Sequence, residues 1–196
     1  MKNFLVVAAL VSTLSFVTSC GNSNQELAAR ADDMSSKSFD PMAAYAHVQK
    51  LASQYTRNVA AVSLSATRQA GASATGSVCS SFTWIWTVVG EDGTFVDVEL
   101  GPKGSKILAH EHRMLSVGQT TFDPEKVAVA AADAIAIAGQ QKMGPPSDLY
   151  LDASVTATGA AAARWSVGFS KSEMTLDAET GDAIKEPAAL LARAGR

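Results

Sequence analysis

Two histidines flank a glutamate in the sequence His110-Glu111-His112, a pattern that could bind a metal ion. In a β-strand, residues i and i+2 lie on the same face, so both imidazoles could coordinate one ion. A third ligand would have to come from His47 or from a carboxylate, and the chain has no H-E-x-x-H motif. The pattern therefore favours an exposed polar strand end, with a metal site at His110 and His112 as the alternative.

The other residues that could do chemistry do not form a catalytic motif. Cys79 has no neighbouring base that would activate its thiol. It is expected to be a buried apolar residue, and an intermolecular disulfide or a reactive thiol is the alternative. The run Gly101-Pro102-Lys103-Gly104 lacks the spacing of a phosphate-binding loop. We therefore predict that the protein is not an enzyme and uses no cofactor.

Two acidic pairs, Asp97/Glu99 and Asp177/Glu179, occur in similar phrases, VDVELG at residues 96–101 and LDAETG at residues 176–181. Each pair alternates along the chain, so both carboxylates would share one face of a strand. Asp and Gly favour the tight turn that would follow. A solvated strand face that runs into a turn is expected, and a calcium site or a pair of catalytic carboxylates is the alternative.

An aromatic stripe lies in the segment FTWIWTV, where Phe82, Trp84, Trp86 and Val88 alternate with polar or smaller residues. If the stripe faces a helix, it is core. If it faces outward, Trp84 and Trp86, together with Trp165 of a later strand, would be anchors for a protein partner. The opposite face of the segment is rich in Thr, which favours the core interpretation.

Two helices and the strands after them must position these residues. Asp40 is a good N-cap before Pro41, and apolar residues at helical spacing predict an amphipathic helix over residues 41–55. The same F-D-P opening returns at residues 122–124 and predicts a second, mostly apolar helix that ends near Gly139. Strand-like segments, an aromatic strand and a hairpin follow each helix.

This repeated order predicts an α+β fold. We expect two tandem units, each a helix packed on one face of an antiparallel sheet with the order α-β-β-β. The first unit spans residues 39–113 and the second spans residues 114–196. The loops over residues 67–80 and 139–148 lie at matching places in the two units and are candidate recognition elements.

The second unit resembles the PepSY family. The resemblance is carried by Trp165-Ser166-Val167-Gly168-Phe169 and by the closing phrase LDAETG, whereas the first unit departs from the pattern at Val98 and Leu100. It implies an exported domain and an association with peptidase propeptides or peptidase inhibition, with no catalytic residue to carry over. The tandem arrangement is also similar to that of β-lactamase inhibitory protein, whose joined sheets present a concave binding surface.

The N-terminus has a short positive start and an apolar run that ends in Val17-Thr18-Ser19-Cys20-Gly21. This segment resembles the signal and lipobox of bacterial lipoproteins. The resemblance implies that residues 1–19 are removed, that Cys20 carries acyl chains such as palmitate, and that residues 20–38 form a tether. Because no Asp follows Cys20, it also implies the outer membrane over the inner one.

The length and the net charge of the chain indicate which classes of partner to expect. The chain has 196 residues and a net charge of −3 without a basic patch, so nucleic acid is not an expected partner. We predict a lipid-anchored outer-membrane lipoprotein that binds an envelope or secreted protein without catalysis, in peptidase inhibition or in assembly. A small-ligand or metal-binding envelope sensor is the alternative.

Overall fold

Eight antiparallel strands form one sheet in the computed structural model, which describes residues 39–71, 78–101, 104–141, 144–156 and 159–184. The strands are β1 (Ala60–Arg68), β2 (Phe82–Val89), β3 (Thr94–Gly101), β4 (Gly104–His112), β5 (Gln119–Thr120), β6 (Asp148–Val155), β7 (Ala161–Phe169) and β8 (Ser172–Asp177). The α-helices are α1 (Tyr45–Ala52) and α2 (Ala131–Gln140), and 3₁₀ turns span Val78–Ser81 and Pro124–Lys126.

The strand order is β4-β3-β2-β1-β6-β7-β8, and the short β5 pairs with β6. At the centre of the sheet β1 and β6 pair antiparallel, with Ser65 opposite Tyr150. The prediction of two tandem helix-plus-sheet units is therefore wrong, because the strands of both segments belong to one continuous sheet. Without this pairing, each strand would leave a row of backbone N–H and C=O groups unpaired at an edge.

Both helices are shorter than the sequence predicts. Turns occupy residues 41–44, and the α-helix begins at Tyr45, although the carboxylate of Asp40 accepts a hydrogen bond from the N–H of Met42 at 2.9 Å. After Pro124 the chain makes one 3₁₀ turn, and α2 begins only at Ala131. Between these two elements, the N–H of Val129 donates to the carbonyl of Ala178 at 2.9 Å, which holds the chain away from a helical path.

The core lies between one face of the sheet and the two helices. Trp84, Trp86 and Trp165 are fully buried there. Each indole N–H donates to a backbone carbonyl, from Trp84 to Cys79 at 2.8 Å, from Trp86 to Pro41 at 2.9 Å and from Trp165 to Val129 at 2.9 Å. The bonds to Pro41 and Val129 hold the chain just before α1 and α2. The aromatic strands therefore fix where each helix begins to pack on the sheet.

The predicted signal segment, Cys20 and the tether up to residue 38 lie outside the described residues. Within the described ranges, no helix is long and apolar enough to cross a membrane. The predicted boundary at residue 113 falls in the connection between β4 and β5. The sheet continues across that boundary through the pairing of β1 with β6.

Candidate functional site

The face of the sheet that points away from the helices is called the open face here. Side chains alternate between the two faces of a strand, and Trp84 and Trp86 of β2 point toward the helices. Thr83, Ile85 and Thr87 therefore point the other way. Both helices pack into the core on the tryptophan side, and the described residues place no helix on the open face.

A groove with a volume of about 390 Å³ lies on the open face. Ile85 of β2, Phe95 of β3 and Tyr150 of β6 line it together with hydroxyl-bearing residues of β1 and β2. Its lining also includes Arg113 and Met114, which belong to the segment that leads from the edge strand β4 to β5 at the centre. The groove is thus formed by residues that are far apart in the sequence.

Several large apolar side chains at this groove are exposed. Leu108 is 45 % exposed, Met114 is 92 % exposed and Tyr150 is 38 % exposed, and all three line the groove. In the same connecting segment Val117 is fully exposed and Leu115 is partly exposed. Single exposed apolar residues are common, but a group of them around one concavity makes the groove a candidate binding surface.

The charged groups on the β3–β4 side of the open face are held in pairs. The guanidinium of Arg113 lies 4.5 Å from the ring centre of Phe95 and 3.4 Å from a carboxylate oxygen of both Asp97 and Glu111. The hydroxyl of Thr87 also donates to Asp97 at 2.7 Å. Arg113 therefore holds the start of the connecting segment onto the open face.

The other side of the open face, on β6, β7 and β8, is acidic. Arg164 of β7 lies between Asp152 of β6 and Asp177 of β8 in the strand register, and no ion pair joins it to either carboxylate. The Nε atom of Arg164 is buried without a hydrogen-bond partner among the described residues. Burial raises the pKa of Asp152, and the positive charge of Arg164 offsets part of this rise.

The three predicted partner-contact residues are not at this site. Trp84, Trp86 and Trp165 are buried on the helix side of the sheet, so a partner cannot reach them and the prediction that they bind one is wrong. Their large apolar rings gain more from packing against the helix layer than from exposure to water. Cys79 is likewise buried, in the 3₁₀ turn before β2.

The histidine pair lies at the exposed end of β4. His110 and His112 pair with Val96 and Thr94 of β3, so both point to the helix side of the sheet. The ring of His110 stacks on Tyr55 with centroids 4.3 Å apart. In the ranges that the structure describes, no three His, Cys, Asp or Glu side chains come together as metal ligands.

The remaining predicted groups have structural partners. His47 of α1 hydrogen-bonds through Nε2 to the hydroxyl of Ser105 at 2.7 Å, and burial lowers the pKa of its imidazole, with a further contribution from Lys50. The carboxylate of Glu99 pairs with Lys106 at 3.1 Å. Asp177 accepts hydrogen bonds from two backbone N–H groups of the turn at residues 177–181, as expected for a turn-forming acid.

Sequence reasoning did not find the groove on the open face. One signal was available, because Met114-Leu115-Ser116-Val117 is a mostly apolar run that is not part of any predicted helix or strand. Nothing in the local pattern shows that this run lies beside Phe95 and Tyr150.

Comparison with known proteins identifies no relative of this chain. No family model, no curated protein and no solved structure matches it. The resemblance of residues 165–181 to PepSY units stays a prediction carried by those residues alone.

Proposed function

We propose that this protein is a lipid-anchored lipoprotein of the bacterial outer membrane that binds an envelope or secreted protein through its open face. The observation that carries the proposal is the group of exposed apolar side chains, Leu108, Met114 and Tyr150, around one groove. Burying such side chains against a partner removes apolar surface from water, which is the main favourable term in protein association.

Binding without catalysis is the role that the groove supports. Its charged residues Arg113 and Asp97 are paired with each other. Hydroxyl groups and apolar side chains make up most of the rest of the lining. A set of aromatic and aliphatic contacts beside fixed charges is typical of a protein interface. The PepSY resemblance makes a secreted peptidase the first partner to test.

Lipid attachment is tested by metabolic labelling with tritiated palmitate in the organism's own cells. We expect the full chain to be labelled and to fractionate with the outer membrane. The Cys20→Ser variant should lose the label and leave the membrane, because a diacylated or triacylated Cys anchors a protein firmly. An unlabelled wild-type chain, or a labelled Cys20→Ser chain, would contradict the anchor.

Partner binding is tested with the full chain, purified in detergent and immobilised. Envelope and secreted fractions of the same organism are passed over it, and retained proteins are identified by mass spectrometry. Leu108→Ser removes an apolar side chain at the groove that is 45 % exposed, and Val78→Ser removes one elsewhere that is 42 % exposed. We expect one protein to be retained by the wild type and by Val78→Ser but lost with Leu108→Ser. If no retained protein depends on Leu108, the proposed function is wrong.

A further inference from the structure

The two sides of the open face differ in how their charges are compensated. On β3 and β4 three carboxylates face Lys106 and Arg113, and both cations form ion pairs there. On β6, β7 and β8 the open-face positions carry four carboxylates and a single guanidinium. These are Asp148, Asp152, Glu173, Asp177 and Arg164.

Among the residues that the structure describes, no ion pair joins a cation to the carboxylates of the acidic side. The carboxylate of Asp148 lies over Gly168, so close that a Cβ on residue 168 would collide with it. Glu173 pairs with the same glycine from β8 and is exposed. Half-buried Asp152 has a raised pKa because the sheet excludes water from it. A cation brought by a partner would favour the ionised form of Asp152.

Tyr150 joins the acidic side to the apolar groove. It lines the groove, and it stands on β6 two residues from both Asp148 and Asp152. Neighbouring strands are about 5 Å apart, so the acidic side begins roughly 5–10 Å from the apolar lining on β2. In an extended segment, side chains on one face repeat every ~7 Å, which matches this distance.

We propose that the open face binds a protein loop that carries Lys or Arg about two residues from a large apolar side chain. The apolar side chain enters the groove beside Leu108, Met114 and Tyr150, and the cation lies over Asp152 and its neighbouring carboxylates. This inference rests on the proposed function and adds the chemistry of the partner. At the open-face positions of these three strands Arg164 is the one cation beside four carboxylates, and a basic partner complements this excess of negative charge.

The test uses a phage library of random disulfide-closed loops, panned against the full chain in detergent. We expect enriched loops to contain Lys or Arg near Leu, Met or an aromatic residue. A synthetic loop of the enriched sequence should bind the wild type, and its affinity should fall by about three- to tenfold in Asp152→Asn. The affinity should also fall between about 0.1 M and about 0.5 M NaCl, because the salt screens the charges.

Matched variants separate the charge from the fold. Asp133→Asn removes an exposed carboxylate on the helix layer and should leave the affinity unchanged. Glu173→Gln removes an exposed charge of the acidic side, so it reports on the charge even if Asp152→Asn does not fold. Each variant is compared with the wild type by circular dichroism before its affinity is measured.

The outcomes distinguish this inference from the proposed function. Suppose that binding of the enriched loops depends on Leu108 but is as tight for Asp152→Asn and Glu173→Gln as for the wild type. The inference of a basic partner would then be wrong, and the proposed protein-binding function would still stand. Enriched loops that bind Leu108→Ser equally well would overturn both. The absence of any enriched loop would count against both as well.

Discussion

The buried hydrogen bond of Trp86 links the aromatic strand to the start of the first helical segment. The indole N–H donates to the carbonyl of Pro41 at 2.9 Å, and both Trp86 and Pro41 are buried. The ring of Trp86 also lies 5.0 Å from the ring of Tyr45, at the first residue of α1. Replacing Trp86 with Phe keeps an aromatic ring but removes the donor and part of the packing.

The expected loss can be worked from these contacts. A buried carbonyl left without its donor costs about 1–3 kcal/mol. The smaller ring leaves unfilled space, and partial collapse around it costs about another 1–2 kcal/mol. We therefore expect Trp86→Phe to lower the free energy of unfolding by about 2–5 kcal/mol. At about 3 °C per kcal/mol, Tm would fall by roughly 6–15 °C.

Urea unfolding followed by far-UV circular dichroism measures this loss without relying on tryptophan fluorescence. Tyr150→Phe is the control, since it removes a hydroxyl group from the open face and should change the unfolding free energy by less than about 0.5 kcal/mol. Folded Trp86→Phe should still bind the enriched loop as tightly as the wild type. A loss below about 1 kcal/mol, or a loss of loop binding by the folded variant, would refute the assignment of Trp86 to the core.

Three further predictions concern other parts of the fold. Gly90→Ala should lower the free energy of unfolding by more than about 2 kcal/mol, because its added Cβ would lie 1.7 Å from the hydroxyl oxygen of Thr56. Burial lowers the pKa of His47 from 6.5, so the unfolded chain binds the proton more tightly than the folded chain. The free energy of unfolding should therefore fall as pH drops below about 6.5. His47→Gln should weaken this pH dependence. Burial raises the pKa of Asp152 above 3.8, so at pH 7 its ionised form is less stable in the folded chain than in the unfolded chain. Asp152→Asn should therefore raise the unfolding free energy there by less than about 1 kcal/mol.

Each of these has a measurement that can contradict it. Gly101→Ala is the control for Gly90→Ala, because an added Cβ at residue 101 meets nothing within 4 Å. Equal losses of unfolding free energy in the two variants would contradict the clash with Thr56. Denaturant curves between pH 7 and pH 5 test His47, and the argument fails if His47→Gln shows the same loss as the wild type. For Asp152→Asn, the gain should shrink as pH falls through the raised pKa toward 3.8, and a gain independent of pH would contradict this cause.

Local pattern was sufficient for the elements that depend on neighbours in the chain. The alternation from Phe82 to Val88 predicted a strand with an aromatic face, and the favoured core interpretation of that face is confirmed. The phrase LDAETG predicted a turn, and Asp177 closes it with two hydrogen bonds to backbone N–H groups. These features are set by side chains within a few residues of each other.

Features that depend on distant segments were not predicted. The union of the strands into one sheet depends on the pairing of β1 with β6, and nothing in either strand alone specifies its neighbour. The predicted start of the second helix at Pro124 differs from the observed start of α2 at Ala131, because Val129 hydrogen-bonds to Ala178 instead of continuing a helix. The groove was not predicted for the same reason, since Met114 and Tyr150 line it together only after the sheet has formed.

The pairing of β1 with β6 also has a consequence for how the chain folds. β1 to β4 pair with their neighbours in sequence, as do β6 to β8, so both meanders can form from short-range contacts. The central seam joins residues 65 and 150, and closing so long a loop carries the larger entropy cost. We expect seam closure to be the slow step of folding. Until it occurs, each meander exposes an unpaired apolar edge, and aggregation competes with folding during that interval.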